Sequence, residues 1–224
     1  MFIPLRDENP TRQFPLVTIL IIALNTAIFL WQIFSPAGLE AHILRLGTIP
    51  YEITHFRSLD PLVRIPPWLT LITAMFVHGS LFHLLGNMLY LWIFGNNVED
   101  YLGSLRFILF YLICGLAASL SHIITNPMSK IPMVGASGAI AGVLGAYFIL
   151  YPGARVLTLM FLFFFIRIVA IPAGFFLGFW FLMQILNVGI GGGVAWYAHI
   201  GGFLAGLFLV KIQPKRRRYY YHWR

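Results

Sequence analysis

Three short polar clusters interrupt an otherwise apolar chain, and each contains side chains capable of chemistry. The first is Val77–His78–Gly79–Ser80–Leu81–Phe82–His83–Leu84–Leu85–Gly86–Asn87; the second is Gly135–Ala136–Ser137–Gly138; the third is Ala198–His199–Ile200–Gly201–Gly202. The imidazole of His199 is the side chain best suited to take and return a proton near neutral pH. Ser137 opens an apolar stretch, and a hydroxyl at a helix N-terminus has unpaired backbone N–H groups beside it, ready to stabilise developing negative charge. His83 and Asn87 are four apart, hence on one helical face, and both can donate hydrogen bonds to an oxyanion. Each cluster also has a plainer reading. His83 and Asn87 would hold neighbouring helices together, Ser137 would cap its helix, and His199 would be a satisfied structural histidine. A GxSG string by itself is weak in a chain with 21 glycines.

The elements that must position these groups are set by composition. Of 224 residues, 59% are hydrophobic and 10% charged, with a mean hydropathy of +0.83. A soluble domain needs about a quarter of its residues charged, so lipid must solvate much of this surface. Spans of about 20 residues are expected at Phe14–Phe34, Ser80–Gly95, Ser104–Ile124, Ser137–Tyr151, Pro172–Leu186 and Val194–Ile212. The stretch Trp68–Val77 is expected to dip into the interface. The segment 155–171 is left open: it crosses, lies flat or extends the fifth helix. Loop 35–67 carries too many apolar residues for a plain linker and is expected to pack on the protein or in the headgroup layer. The first apolar run reads as a permanent span rather than a cleavable signal. The organisation expected is a short N-terminus over 1–13, a membrane domain over 14–212 and a basic tail over 213–224.

With six spans both termini share a side, and that side holds 11 basic and four acidic residues against four basic and three acidic on the other. This charge asymmetry places both termini in the cytoplasm. Of the 15 basic residues, Lys211, Lys215, Arg216, Arg217, Arg218 and Arg224 lie in the tail, which suits anionic lipid heads; the body has no basic stripe for nucleic acid. Cys114 is the only cysteine, so no intrachain disulfide forms. There is no HExxH, no nucleotide loop with a lysine and no acidic residue within a span apart from Glu99 and Asp100 at the boundary of the second. No metal or cofactor is expected. Small-residue faces at Gly138/Gly142/Gly145 and Gly202/Gly206 let the fourth and sixth helices approach closely. Their directions then bring Ser137, His199, His83 and Asn87 to the outer half of one membrane.

The assembled pattern resembles the rhomboid family of intramembrane serine proteases. The resemblance rests on His78…His83–Leu84–Leu85–Gly86–Asn87, Gly135–Ala136–Ser137–Gly138 and Ala198–His199–Ile200–Gly201–Gly202 in that order, and on Glu99–Asp100–Tyr101–Leu102–Gly103–Ser104–Leu105–Arg106 between spans two and three. It implies an all-α, six-span bundle in the compact prokaryotic form, seated in the cell membrane as a multi-pass protein. It implies a dyad with Ser137 as nucleophile and His199 as general base, and an oxyanion site formed by His83, Asn87 and the Ser137 N–H. His78, Gly135, Gly138 and Gly202 would support it. Substrates would be single-span or other transmembrane proteins, cut within or beside their spans, and membrane lipids would be the surrounding partners; working alone or in pairs stays open. Many members carry Trp–Arg in loop 1, where this chain has Pro67–Trp68–Leu69–Thr70. The glycine-rich loop 187–193 is expected to be a mobile cap or a short flexible turn. A catalytically silent client-binding member of the same fold, or a transporter, is the alternative.

Overall fold

The computed structural model describes residues 2–59, 65–162, 165–190 and 194–213. It is mostly helical. Strand β1 (Phe2–Asp7) leads into α1 (Leu16–Phe34); α2 (Gly38–Leu46), α3 (Pro50–His55), a single 3₁₀ turn (Pro67–Leu69) and α4 (Thr70–Thr73) follow. Then come α5 (Leu81–Tyr90), a π-helical stretch (Leu91–Gly95) and α6 (Asn96–Leu102), which run on as one helical segment, and α7 (Ser104–Thr125). Helix α8 (Ser137–Leu150), strands β2 (Arg155–Leu162) and β3 (Phe165–Pro172), α9 (Ala173–Leu186) and α10 (Trp196–Ile212) complete the order. Apolar helices therefore occupy all six expected places. Two of them, α1 and α7, are long and apolar enough to cross a membrane on their own. Helices α8 and α9, with 14 residues each, rise about 21 Å.

Helix α8 is the axis of the bundle. Its residues from Ala139 to Tyr147 are all buried, which only a thin helix can achieve among several neighbours. A Cβ on Gly202 would fall on the carbonyl oxygen of Gly138, and one on Gly206 on that of Gly142. On the α7 side, Gly138 meets the Ala118 methyl and Gly142 the Cys114 side chain. Helices α8 and α10 thus touch backbone to backbone, with α7 close against α8 through small side chains, as the glycine spacing allows. The outward faces are apolar instead: Leu20 and Trp31 of α1, Leu105 and Ile124 of α7, and Phe175 and Leu186 of α9 are exposed. Lipid is the solvent that such a surface fits.

The all-helix expectation is corrected at one place. Residues 155–162 and 165–172 do not extend α9 as a helix; they pair as antiparallel strands, from Arg155↔Pro172 to Leu162↔Phe165. Strand β1 adds to it antiparallel, from Phe2↔Met160 to Asp7↔Val156, giving the order β1–β2–β3. The segment is rich in β-branched and aromatic residues (Val156, Thr158, Phe161, Ile166, Ile168, Val169, Ile171), which fit a pleated surface. An apolar run does not by itself tell strand from helix. The register slips between Pro4 and Arg6, where proline lacks the N–H that a regular ladder would use.

Loop 1 packs on protein. Thr48 and Met133 exchange backbone hydrogen bonds at 2.9 and 2.8 Å, and Tyr51 N–H donates to Ser129 O at 2.9 Å. Thr48 Oγ1 donates to Thr70 O and Thr73 Oγ1 to Leu46 O, each at 2.8 Å. These hydroxyls anchor loop 1, which has no Trp–Arg pair; Trp68 itself is exposed. The acidic junction has a clear task. Helix α1 begins after Pro15 with no side-chain cap of its own. Buried Glu99 supplies one, accepting from Val17 N–H (3.0 Å), Thr18 N–H (2.8 Å) and Thr18 Oγ1 (2.8 Å), and from Ser104 Oγ at 2.8 Å. A carboxylate there meets both the orphan amides and the positive end of the helix dipole.

Candidate active site

Ser137 is the first residue of α8, but its hydroxyl does not cap the helix. Ser137 Oγ lies 2.9 Å from His199 Nε2, on the first turn of α10. The close approach of α8 and α10 at Gly138–Gly202 and Gly142–Gly206 brings the two side chains together. The other ring nitrogen, Nδ1, lies 2.8 Å from Oε1 of Gln184 on α9. The Trp180 ring, one turn earlier on α9, stands 5.8 Å from the imidazole, and Trp196 meets it edge-on at 6.2 Å.

Both side chains open into a cavity of about 980 Å³, also lined by His83, Asn87, Gly135, His122, Trp180 and Trp196. Tyr197 lines it as well. Ser80 caps α5, its Oγ accepting from His83 N–H at 3.1 Å. Gly79 N–H points at His83 Nδ1, 3.4 Å away. That assigns Nδ1 as acceptor and leaves Nε2 carrying the proton. Gly135 has φ +117°, a region in which only glycine is at ease. A Cβ there would stand 2.6 Å from His83 Nε2 and 3.6 Å from Asn87 Nδ2. Glycine at 135 is therefore required both by its backbone and by the donors crowding it. Asn87 Nδ2 is buried and has no hydrogen-bond partner, and burying a donor without a partner costs about 1–3 kcal/mol. Asn87 lines the same cavity as Ser137 and His199.

The sequence-predicted residues do not all reach the cavity. His78 is fully buried behind His83, ring centroids 5.1 Å apart, and is not part of the cavity wall. Its backbone is clamped by Gln32 of α1: Gln32 Nε2 donates to His78 O at 3.3 Å, and His78 N–H to Gln32 Oε1 at 3.1 Å. Gly202 serves α8–α10 packing rather than the cavity. Of the expected cap over 187–193, residues 191–193 lie outside the described residues; Gly189 and Ile190 line the cavity, and Ile190 O accepts from Trp196 Nε1 at 3.2 Å. The basic tail beyond Gln213 is likewise outside them. Sequence reasoning missed Gln184. It is the one polar side chain in α9, and the rule that polar residues in a span need a partner or a function would have found it had it been applied to lone residues as well as to clusters.

Residues 66–216 match the Rhomboid domain family model. The chain belongs to the rhomboid family. Rhomboid protease GluP of Bacillus subtilis is 36% identical over 144 residues, covering 63% of this chain and 25% of that protein. Putative rhomboid protease YdcA of Bacillus subtilis is 30% identical over 218 residues, 93% of this chain and 94% of that protein. Rhomboid protein 1, mitochondrial, of Saccharomyces cerevisiae is 29% identical over 163 residues, 67% of this chain and 44% of that protein. This rhomboid chain thus spans a quarter to under half the length of GluP and the yeast protein, and nearly all of YdcA. It is a membrane protein related to proteins named as proteases.

Proposed function

We propose that this rhomboid chain is an active intramembrane serine endopeptidase, with Ser137 as nucleophile and His199 as general base. The observation that carries the reading is the 2.9 Å approach of Ser137 Oγ to His199 Nε2 at a cavity of about 980 Å³. His199 takes the hydroxyl proton as Oγ attacks the scissile carbonyl, then delivers it to the leaving amine. The Ser137 N–H, Asn87 Nδ2 and His83 Nε2–H hold the oxyanion. Two donors around Gly135, one of them without a resting partner, support that assignment. Water resolves the acyl-enzyme, and the width of the cavity supports its entry.

The membrane domain over 14–212 then comprises six spans, with α5, the π-stretch and α6 as the second. Both termini face the cytoplasm of a cell-membrane protein, and the 213–224 tail meets anionic lipid. Substrates are single-span proteins cut where their helix unwinds. A silent client-binding rhomboid is less well supported, because the serine and histidine keep hydrogen-bonding distance. The test compares purified wild type with Ser137→Ala in liposomes carrying a single-span substrate. Cleavage by wild type alone upholds the reading; equal products from both, or none from either, reject it.

A further inference from the structure

Gln184 belongs to none of the three polar clusters, yet it makes the closest contact to the far side of the His199 ring. It is buried, with 5% of its surface exposed, on a helix whose opposite face (Phe175, Phe179, Leu182, Leu186) is open. Its amide orientation is settled by its second bond: Nε2 donates to Trp180 O at 2.8 Å, which leaves Oε1 facing His199 Nδ1 at 2.8 Å. An amide oxygen only accepts, so Nδ1 must carry the proton. In the neutral imidazole the free lone pair then sits on Nε2, 2.9 Å from the Ser137 hydroxyl. The opposite tautomer would set lone pair against lone pair at Gln184.

We propose that Gln184 is a positioning residue for the dyad: from α9 it fixes the tautomer and ring plane of His199 so that Nε2 is free to receive the Ser137 proton. This rests on the proteolytic reading above. The bond runs from α9 to α10, so the base is set only while the two helices stay docked, as they are through the Phe181–Phe203 stack with centroids 4.4 Å apart. An amide is the appropriate partner for a resting neutral base, because a carboxylate on Nδ1–H would favour the imidazolium, which cannot accept a proton. A merely structural role would be to tie α9 to α10 with no effect on proton transfer, and the two roles separate in kinetics.

The experiment uses the full chain in liposomes with a single-span substrate, and Ser137→Ala as the blank. Gln184→Leu keeps the volume and removes the acceptor; it is expected to lower kcat by about 10–100-fold with KM within about twofold, an interaction lost in the transition state rather than in binding. Gln184→Glu keeps an acceptor on Nδ1; it is expected to recover much of kcat near neutral pH and above, and to move the acid limb of the kcat profile to higher pH by about one unit or more. The second result does not depend on how well Gln184→Leu folds. A kcat for Gln184→Leu within about twofold of wild type overturns the proposal, as does an acid limb in Gln184→Glu unmoved from wild type. Wild type with no Ser137-dependent cleavage overturns the proteolytic reading itself, and this proposal with it.

Discussion

The two ends of α8 both carry polar clusters, and they are filled to different degrees. At the Tyr147 end, Asp7 Oδ2 accepts from Tyr147 OH at 2.6 Å and from Asn97 Nδ2 at 2.8 Å. Nearby on α6, Glu99 accepts four hydrogen bonds while only 2% exposed. Carboxylates from distant parts of the chain are thereby spent on closing the bundle. Among the described residues no carboxylate lines the cavity at the Ser137 end, and two polar atoms of its lining residues, Asn87 Nδ2 and His122 Nδ1, are buried without partners. Partly filled polar groups cost stability unless something arrives to use them. On the proposed reading, one end of the helix closes the bundle and the other receives a reacting group.

That contrast sets the order of effects expected from mutation. At the open end, His199→Ala should lower kcat/KM by ~10⁴-fold or more, because the base and nucleophile act as a unit. Its melting temperature should hold, and liposome cleavage assays alongside thermal melts check both. Asn87→Ala should cost ~10²–10³ in kcat, the usual value of one oxyanion donor. Since that donor has no resting partner to lose, melting should stay level or rise; a large fall in stability would make Asn87 structural. At the closed end the signature reverses. Glu99→Ala strips the α1 amides of their acceptor, so a loss of about 3 kcal/mol in unfolding free energy is expected. Activity per folded molecule, titrated with a serine-directed phosphonate, should change less than about twofold.

The smallest effect is a pH dependence. Burial raises the Asp7 carboxyl above its ordinary value, against the opposing hydrogen bonds from Tyr147 and Asn97. A raised folded-state value means that the stability this group contributes is full below the unfolded carboxylate range. It is lost as pH rises through the raised value. Melting curves of wild type against Asp7→Asn across that interval should converge at low pH and separate as Asp7 ionises. Parallel curves would remove Asp7 from the account of the closed end.

Much of the open end was legible in the sequence. Ser137, His199 and the two glycine faces specify their own meeting, because small residues at helical spacing dictate which backbones touch, and polar residues are rare enough in apolar helices to stand out. The helix bounds followed from hydropathy, with the second running past Gly95 to Leu102 through a π-helical stretch that composition does not signal. The closed end was much less legible. Its hairpin over 155–172 is completed by residues 2–7 from the other end of the chain, and long-range strand pairing leaves no local period to read. The task of Glu99 was hidden for the same reason, since it caps a helix some eighty positions away. Gln184 escaped because it stands alone in an apolar helix, 15 positions from His199 and outside any polar cluster, so nothing local in the sequence pairs it with the histidine.

The most direct measurement of the central claim is peptide mapping by mass spectrometry after a serine-directed fluorophosphonate is added to wild type and to His199→Ala in liposomes. The account predicts one adduct, on Ser137, forming at least ~100-fold more slowly without the imidazole. An adduct on another residue, equal labelling of Ser137 in both proteins, or folded wild type that takes up no reagent would contradict it.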